Sequence, residues 1–395
     1  MLKFSKQDSL ILQFFLLILA CTSIYGIREY VGGTLSGRLI WFSALFIIYF
    51  YLKKYKLPTT SKIYILSIII GFFLHKIANV STEDTFNNTI LIRIIPVILL
   101  ATAQQQARPP KTFIFLVFTF FFAECTIALY EKITLTHFID YKSTENNAAT
   151  SAIMLEDSTF RSFSLMFHPL YNANIISIIL AFILCANFIK PIYKYFLILM
   201  GLASLWAFNS RGALITWGII LIYRVILYKA KIWYILVIVG LLYFALPPII
   251  EWIEYSGLLG RLSDFDFSDS STITRFEAFD VFFSRQWSFY DIIIGGQMLY
   301  YPGTNLLLEN GILLDLGYWG CIIGTIKVVC EILITYNTLT TYNLRDRILI
   351  MIAIWGVAFM NNNSFQTWLM IIFVITCVAL NNYMPYRIAL KNKKT

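Results

Sequence analysis

The chain has 395 residues, of which 58% are hydrophobic and only 13% charged, with a formal net charge of +9. Soluble domains carry about 25% charged residues, so this composition excludes an ordinary soluble globular protein and points to a bilayer. The positive balance is what loops facing anionic lipid carry, and it is no argument for a nucleic-acid partner.

Crossing the hydrocarbon takes about 17–20 apolar residues in a helix. Runs of that kind predict about twelve spans, near 9–25, 37–52, 61–78, 87–104, 112–130, 166–189, 191–208, 211–228, 231–250, 305–326, 347–361 and 364–382. The first run follows Lys3 and Lys6 but lacks a convincing small-residue cleavage site, so it is read as a span and not as a signal peptide. Nineteen lysines and arginines fall on alternate connections, among them Lys53, Lys54, Lys190, Lys194, Arg224, Arg345 and Arg347. Short loops with that bias stay in the cytoplasm, which puts both termini there. The expected fold is therefore all-α, a single polytopic transmembrane domain over residues 1–395.

Six cysteines lie in or beside apolar segments without a CxxC pair, and there are three histidines, so neither a disulfide framework nor a metal site is indicated. No cofactor is expected. Nothing matches GxxxxGK[ST], which argues against ATP hydrolysis.

Two outer connections are long, at about 131–165 and 251–304. With short loops on the cytoplasmic side, the working surface should be outside. The first long loop leads through Arg161 and His168 into the sixth span, which carries Asn172 and Asn174. Polar groups at that depth face a cavity or a partner helix. His168 reads equally well as a satisfied structural histidine or as a catalytic one. Glu124, in the fifth span, is expected to hydrogen-bond within the bundle.

At the next outer turn, Asn209-Ser210-Arg211-Gly212 opens the eighth span. Arg211 either snorkels to headgroups or holds a phosphate, for which its planar fork is suited. In the second long loop, Thr274 and Glu277 have the capping-box spacing and predict a helix from about Arg275. Phe276, Phe279, Phe283 and Trp287 would form its apolar stripe, laid on the membrane surface, and Arg275 would mark an anion-binding N-terminus. The acidic run Asp264, Asp266 and Asp269 reads as a solvated loop face. Gly295-Gly296 predicts a tight turn.

The tenth span is the costliest, because it holds Glu309 and Asp315. A carboxylate at membrane depth costs about 2.5–3.5 kcal/mol. That expense, and the polar start of the run, suggest a broken or tilted span. Glu309 is either offset by an outer arginine or a general base; Asp315, farther in, is read as structural.

Ser210-Arg211-Gly212, then an arginine-bearing outer loop, then Glu309-Asn310-Gly311 ahead of Leu316-Gly317-Tyr318-Trp319-Gly320 form an ordered set over about residues 155–325. This order resembles the O-antigen ligase and Wzy-type O-antigen polymerase superfamily, which is similar to the metal-independent GT-C glycosyltransferases. The resemblance implies a glycosyltransferase of the bacterial inner membrane that acts at the periplasmic face. Its donor and acceptor would be glycans on undecaprenyl pyrophosphate, with a chain-length regulator and a flippase as further partners. Arg211, Arg161, Arg275 and Arg261 would hold the diphosphate, and Glu309 or His168 would deprotonate the acceptor. Asn310, Tyr300 and Trp287 would contact the sugars. Ligases place a histidine shortly before the Gly-x-x-Gly turn. This chain has Glu309-Asn310 there, which favours polymerase over ligase. A lipid-linked oligosaccharide flippase is the alternative from another class, and it should hide its charges in a central cavity.

Overall fold

The computed structural model describes residues 57–78, 93–95, 97–98, 100, 111–138, 160–166, 168–227, 270–296, 299–302, 308, 310–359, 373 and 376–381. Ten α-helices are seen there, with no strand among the described residues. Six are α1 (Thr59–Ile77), α2 (Lys111–Thr134), α3 (Pro169–Cys185), α4 (Pro191–Ala207), α5 (Arg211–Leu227) and α6 (Ser270–Ser284). The others are α7 (Phe289–Ile293), α8 (Gly311–Trp319), α9 (Cys321–Thr338) and α10 (Leu344–Phe359). Three helices, Thr59–Ile77, Ile114–Thr134 and Cys321–Thr338, are long and apolar enough to cross a membrane. The chain is thus a mainly helical protein suited to a bilayer.

Local sequence explains the helix starts. Prolines stand at the first positions of α3 and α4, where a missing N–H costs nothing. Asn343 Oδ1 accepts from the Asp346 amide at the head of α10, and Asn310 Oδ1 accepts from the amides of Ile312 and Leu313 at the head of α8. Ser288 and Asp291 form a reciprocal capping box on α7.

α3 is the hub. Asn172 to Cys185 are all buried, and α2, α4, α5 and α10 pack around it. A helix apolar on every side is a core helix. Around it the apolar faces turn outward: Ile63, Leu66, Ile70 and Phe73 of α1, and Ile192, Tyr195 and Leu199 of α4, are exposed as a lipid-facing surface requires.

Cross-links tie the helix ends into two sets. At one end Lys194 Nζ donates to the Leu184 carbonyl, and Arg224 Nη1 lies 3.2 Å from Asp346 Oδ1. At the other, Lys132 Nζ donates to the Phe160 carbonyl, the Ser162 amide donates to Ala207, and His75 Nε2 donates to Ile294.

Several expected boundaries move. The run predicted as one span over 305–326 breaks at Gly320, and the span-length helix is α9, which continues to Thr338. α2 extends to Thr134, so Glu131 and Lys132 belong to a helix and not to the loop predicted from 131. α6 starts at Ser270, five residues before the predicted start, so Arg275 lies inside it and not at its N-terminus. Among its described side chains, Ala278 and Phe282 are buried, whereas Phe283 of the predicted stripe is exposed. The tight turn at Gly295-Gly296 is present, with φ of 73° and 85°. The predicted spans 9–25, 37–52 and 231–250 lie outside the described residues.

Three glycines close the joint beside the broken helix. Gly320 has φ 76° and ψ 154°, a region essentially reserved for glycine. A Cβ there would stand 2.8 Å from the Ile293 carbonyl oxygen, and one at Gly295 would stand 2.1 Å from the Gly320 nitrogen. The Gly296 amide donates to Tyr318 at 2.7 Å. Gly320→Ala should therefore destabilise the protein by about 2–5 kcal/mol, backbone strain plus overpacking. A thermal melt in detergent checks this, and an unchanged midpoint would refute it.

Candidate functional site

One corner of the bundle gathers unusual backbone. Among the described residues, the non-glycine positions with positive φ are Leu135 (54°), Ser164 (42°) and Asn209 (52°). All three belong to segments that touch: the end of α2, the strap 160–168 that precedes α3, and the turn that leads into α5. Strained residues persist only where surroundings over-determine them, and they cluster at functional sites.

The strap is held from α2. Glu131 Oε2 accepts from Ser162 Oγ at 2.5 Å, from the Phe163 amide at 2.7 Å and from the Ser164 amide at 3.0 Å. Its Oε1 accepts from the Phe138 amide. Seven residues earlier, two turns along α2, Glu124 Oε2 accepts from the Leu165 amide, and the Glu124 carbonyl accepts from Ser164 Oγ. The His137 ring is stacked against both Phe160 and Phe163, at centroid distances of 4.8 and 4.4 Å. From α3, Asn172 Nδ2 donates to the Phe163 carbonyl.

This frame carries cations. Lys132 Nζ lies 2.9 Å from the Phe160 carbonyl and 5.5 Å from the centroid of Trp206. The Arg161 charge acts on both Lys132 and His168. Ser162, the next residue, donates its amide to Ala207, which lies one turn ahead of Arg211. Arg211 heads α5 with its side chain half-buried. Before it, Asn209 and Ser210 are 4% and 2% exposed. Neither side chain of this pair finds a hydrogen-bond acceptor or donor in the protein. Ser210 occupies the N-cap position without capping, so its hydroxyl leaves the first amides of α5 to other acceptors. A helix N-terminus flanked by guanidinium and buried polar groups suits an anion.

His168 precedes α3 with an exposed edge, its ring centroid 4.2 Å from that of Tyr171. Protein crowding the rest of the ring, and then the Arg161 charge, hold its imidazole below the ordinary histidine range. It is therefore neutral at pH 7 and a weaker base than an ordinary histidine.

The structure thus brings Arg161, His168 and Arg211 to one corner. It adds Glu131 and Lys132, which belong to α2 and not to the predicted loop. Arg261 and Glu309 lie outside the described residues, as does the side chain of Arg275. Asn310 commits its side-chain oxygen to capping α8. Trp287 folds back on α6, its indole N–H donating to the Phe282 carbonyl, with Arg285 above the ring at 5.3 Å. Tyr300 is exposed.

A second constellation lies between α1, α8 and α9. Lys327 Nζ sits 2.5 Å from Asp315 Oδ2 and 2.9 Å from Glu331 Oε1. Arg93 approaches Asp315 Oδ1 at 3.9 Å, and Tyr64 Oη donates to Glu331 Oε1 at 3.2 Å. Lys327 and Glu331 are each 1% exposed. Two cations face two carboxylates, so the group is formally neutral, the condition for keeping charge at this depth. Above it Arg93 lies 5.0 Å from the Trp319 ring, which stacks on His75. This network joins the broken helix α8 to α9 and α1.

No family of known proteins, no curated protein and no solved structure matches the chain.

Proposed function

We propose that the protein is a polysaccharide repeat-unit polymerase of the bacterial inner membrane, a glycosyltransferase with about twelve spans whose site faces the periplasm. The observation that carries the reading is the cationic corner. There Lys132 and Arg161 sit on segments joined to the turn before α5, and that helix starts with Arg211 behind two buried, unpartnered polar side chains. Such a site fits a diphosphate at the membrane surface better than it fits a neutral sugar.

The donor is a growing glycan on undecaprenyl pyrophosphate, and the acceptor is a single lipid-linked repeat unit. The acceptor hydroxyl oxygen attacks the anomeric carbon and the carbon–oxygen bond to the diphosphate breaks. The lipid diphosphate leaves with the bonding electrons. Arg161 and Arg211, with Arg275 from the long loop, neutralise the charge that accumulates on it. The hydroxyl proton passes to Glu309 or to His168, of which His168 stands in the same corner as the arginines. Direct displacement inverts the anomeric centre.

The test is deletion of the gene in its host, with the surface polysaccharide resolved on a gel. Collapse of a long ladder to core plus one repeat unit is the expected result. Polymer stranded on its lipid carrier would instead indicate a ligase, and trapped cytoplasmic substrate a flippase. An unchanged ladder would sink all three.

A further inference from the structure

We propose that Glu131 is a positioning residue for the anion site, acting through the backbone of the strap and not on the substrate. The inference rests on the diphosphate reading of the corner. A carboxylate buried beside Lys132 could serve merely as a counter-charge. Its contacts say otherwise. One oxygen collects a hydroxyl and two consecutive amides, those of Ser162, Phe163 and Ser164. The other collects the Phe138 amide. Every one of these donors is strap or loop, and those of the strap pin the stretch from Ser162 to Ser164.

That stretch does not hold its shape unaided. Ser164 sits at φ 42°, the left-handed region that serine rarely adopts. Its amide is one of the three groups on Glu131 Oε2, and its hydroxyl is tied to the Glu124 carbonyl. Amides converging on a carboxylate make charge-assisted bonds, about twice as strong as neutral ones, and so can stabilise a conformer that costs about 1–3 kcal/mol. Arg161 and His168 flank the pinned stretch on either side. If it relaxes, both lose their relation to Arg211, because the Ser162 amide is also the link to Ala207. Glu131 therefore sets where the guanidinium and the imidazole stand, although it contacts neither.

Glycine takes positive φ freely. If Glu131 works by holding a strained strap, then relieving the strain at Ser164 makes the carboxylate less necessary. The experiment compares wild type, Glu131→Gln, Ser164→Gly and the double variant, each full-length in lipid nanodiscs. Two quantities are read: amide hydrogen exchange over residues 160–168, and affinity for undecaprenyl diphosphate. Glu131→Gln should speed strap exchange and weaken binding, each by about tenfold, the loss of one charge-assisted hydrogen bond. Ser164→Gly alone should stay within about threefold of wild type, and the double variant should recover most of both losses. The proposal is overturned if Glu131→Gln leaves strap exchange unchanged, if binding falls without it, or if Ser164→Gly restores nothing. Wild-type protein that fails to bind the lipid diphosphate would defeat the functional reading, while the exchange data still judge the strap.

Discussion

Replacing Lys327 with methionine should cost about 3–5 kcal/mol of stability, the usual penalty for removing one member of a buried ion network. Methionine fits the volume, so the loss is electrostatic. Asp315 and Glu331 would remain buried with Arg93, which stands 3.9 Å from Asp315. Lys327 cannot escape to the surface, being 1% exposed with its Nζ between two carboxylates. The effect should reverse in part when charge balance is restored. Lys327→Met with Glu331→Gln leaves Arg93 facing Asp315 and is expected to recover most of the loss. Thermal unfolding of the four proteins of the double-mutant cycle measures the coupling directly. A Lys327→Met protein as stable as wild type would show that the network does not anchor the broken helix.

On the proposed polymerase reading, Arg211→Ala should lower the polymerisation rate by about 10²–10³, the range seen when a preorganised charge-stabilising group is removed. Alanine is the best helix former, so α5 should persist and the melting temperature should hold within a few degrees. Arg211→Lys is the sharper probe. It keeps the charge but loses the two-pronged fork, and its rate should fall between wild type and alanine. Purified protein with synthetic lipid-linked repeat units gives the measurement. An alanine variant within threefold of wild type would remove Arg211 from the site.

Much of the helical frame is readable because hydropathy reports burial in lipid directly. α1, α4, α5 and α10 begin within about three residues of the apolar runs that predict them. What escapes is anything set by distant contact. Leu316 to Cys321 is apolar throughout, so a window sums across Gly320 without sensing its φ. Nothing beside Lys327 and Glu331 in the sequence announces their ties to Arg93, Asp315 and Tyr64, which come from other segments. Glu131 and Lys132 resemble the polar start of a loop. The capping-box spacing at Thr274 and Glu277 is real, yet Ser270, Ser271 and Thr272 provide equally good helix starts upstream. Arg161, His168 and Arg211 are singled out by type and by their place beside apolar runs. The strap that brings them together is not.

The enclosed position of α3 bears on how the chain is assembled. One of its walls, α10, is synthesised more than 150 residues after α3 itself, and Phe373, whose ring lies 6.0 Å from that of Phe182, later still. During that interval one flank of Pro169–Cys185 meets acyl chains, and since lipid is as apolar as leucine the wait is nearly free of cost. Asn172, Asn174 and Ser177 are the exceptions, buried polar groups that hydrocarbon would punish. Insertion of the early spans can therefore proceed in any order that shields these three side chains. Closure by α10 becomes a late docking step, and a ribosome stalled between the two helices would leave a half-walled bundle that still sits comfortably in the bilayer.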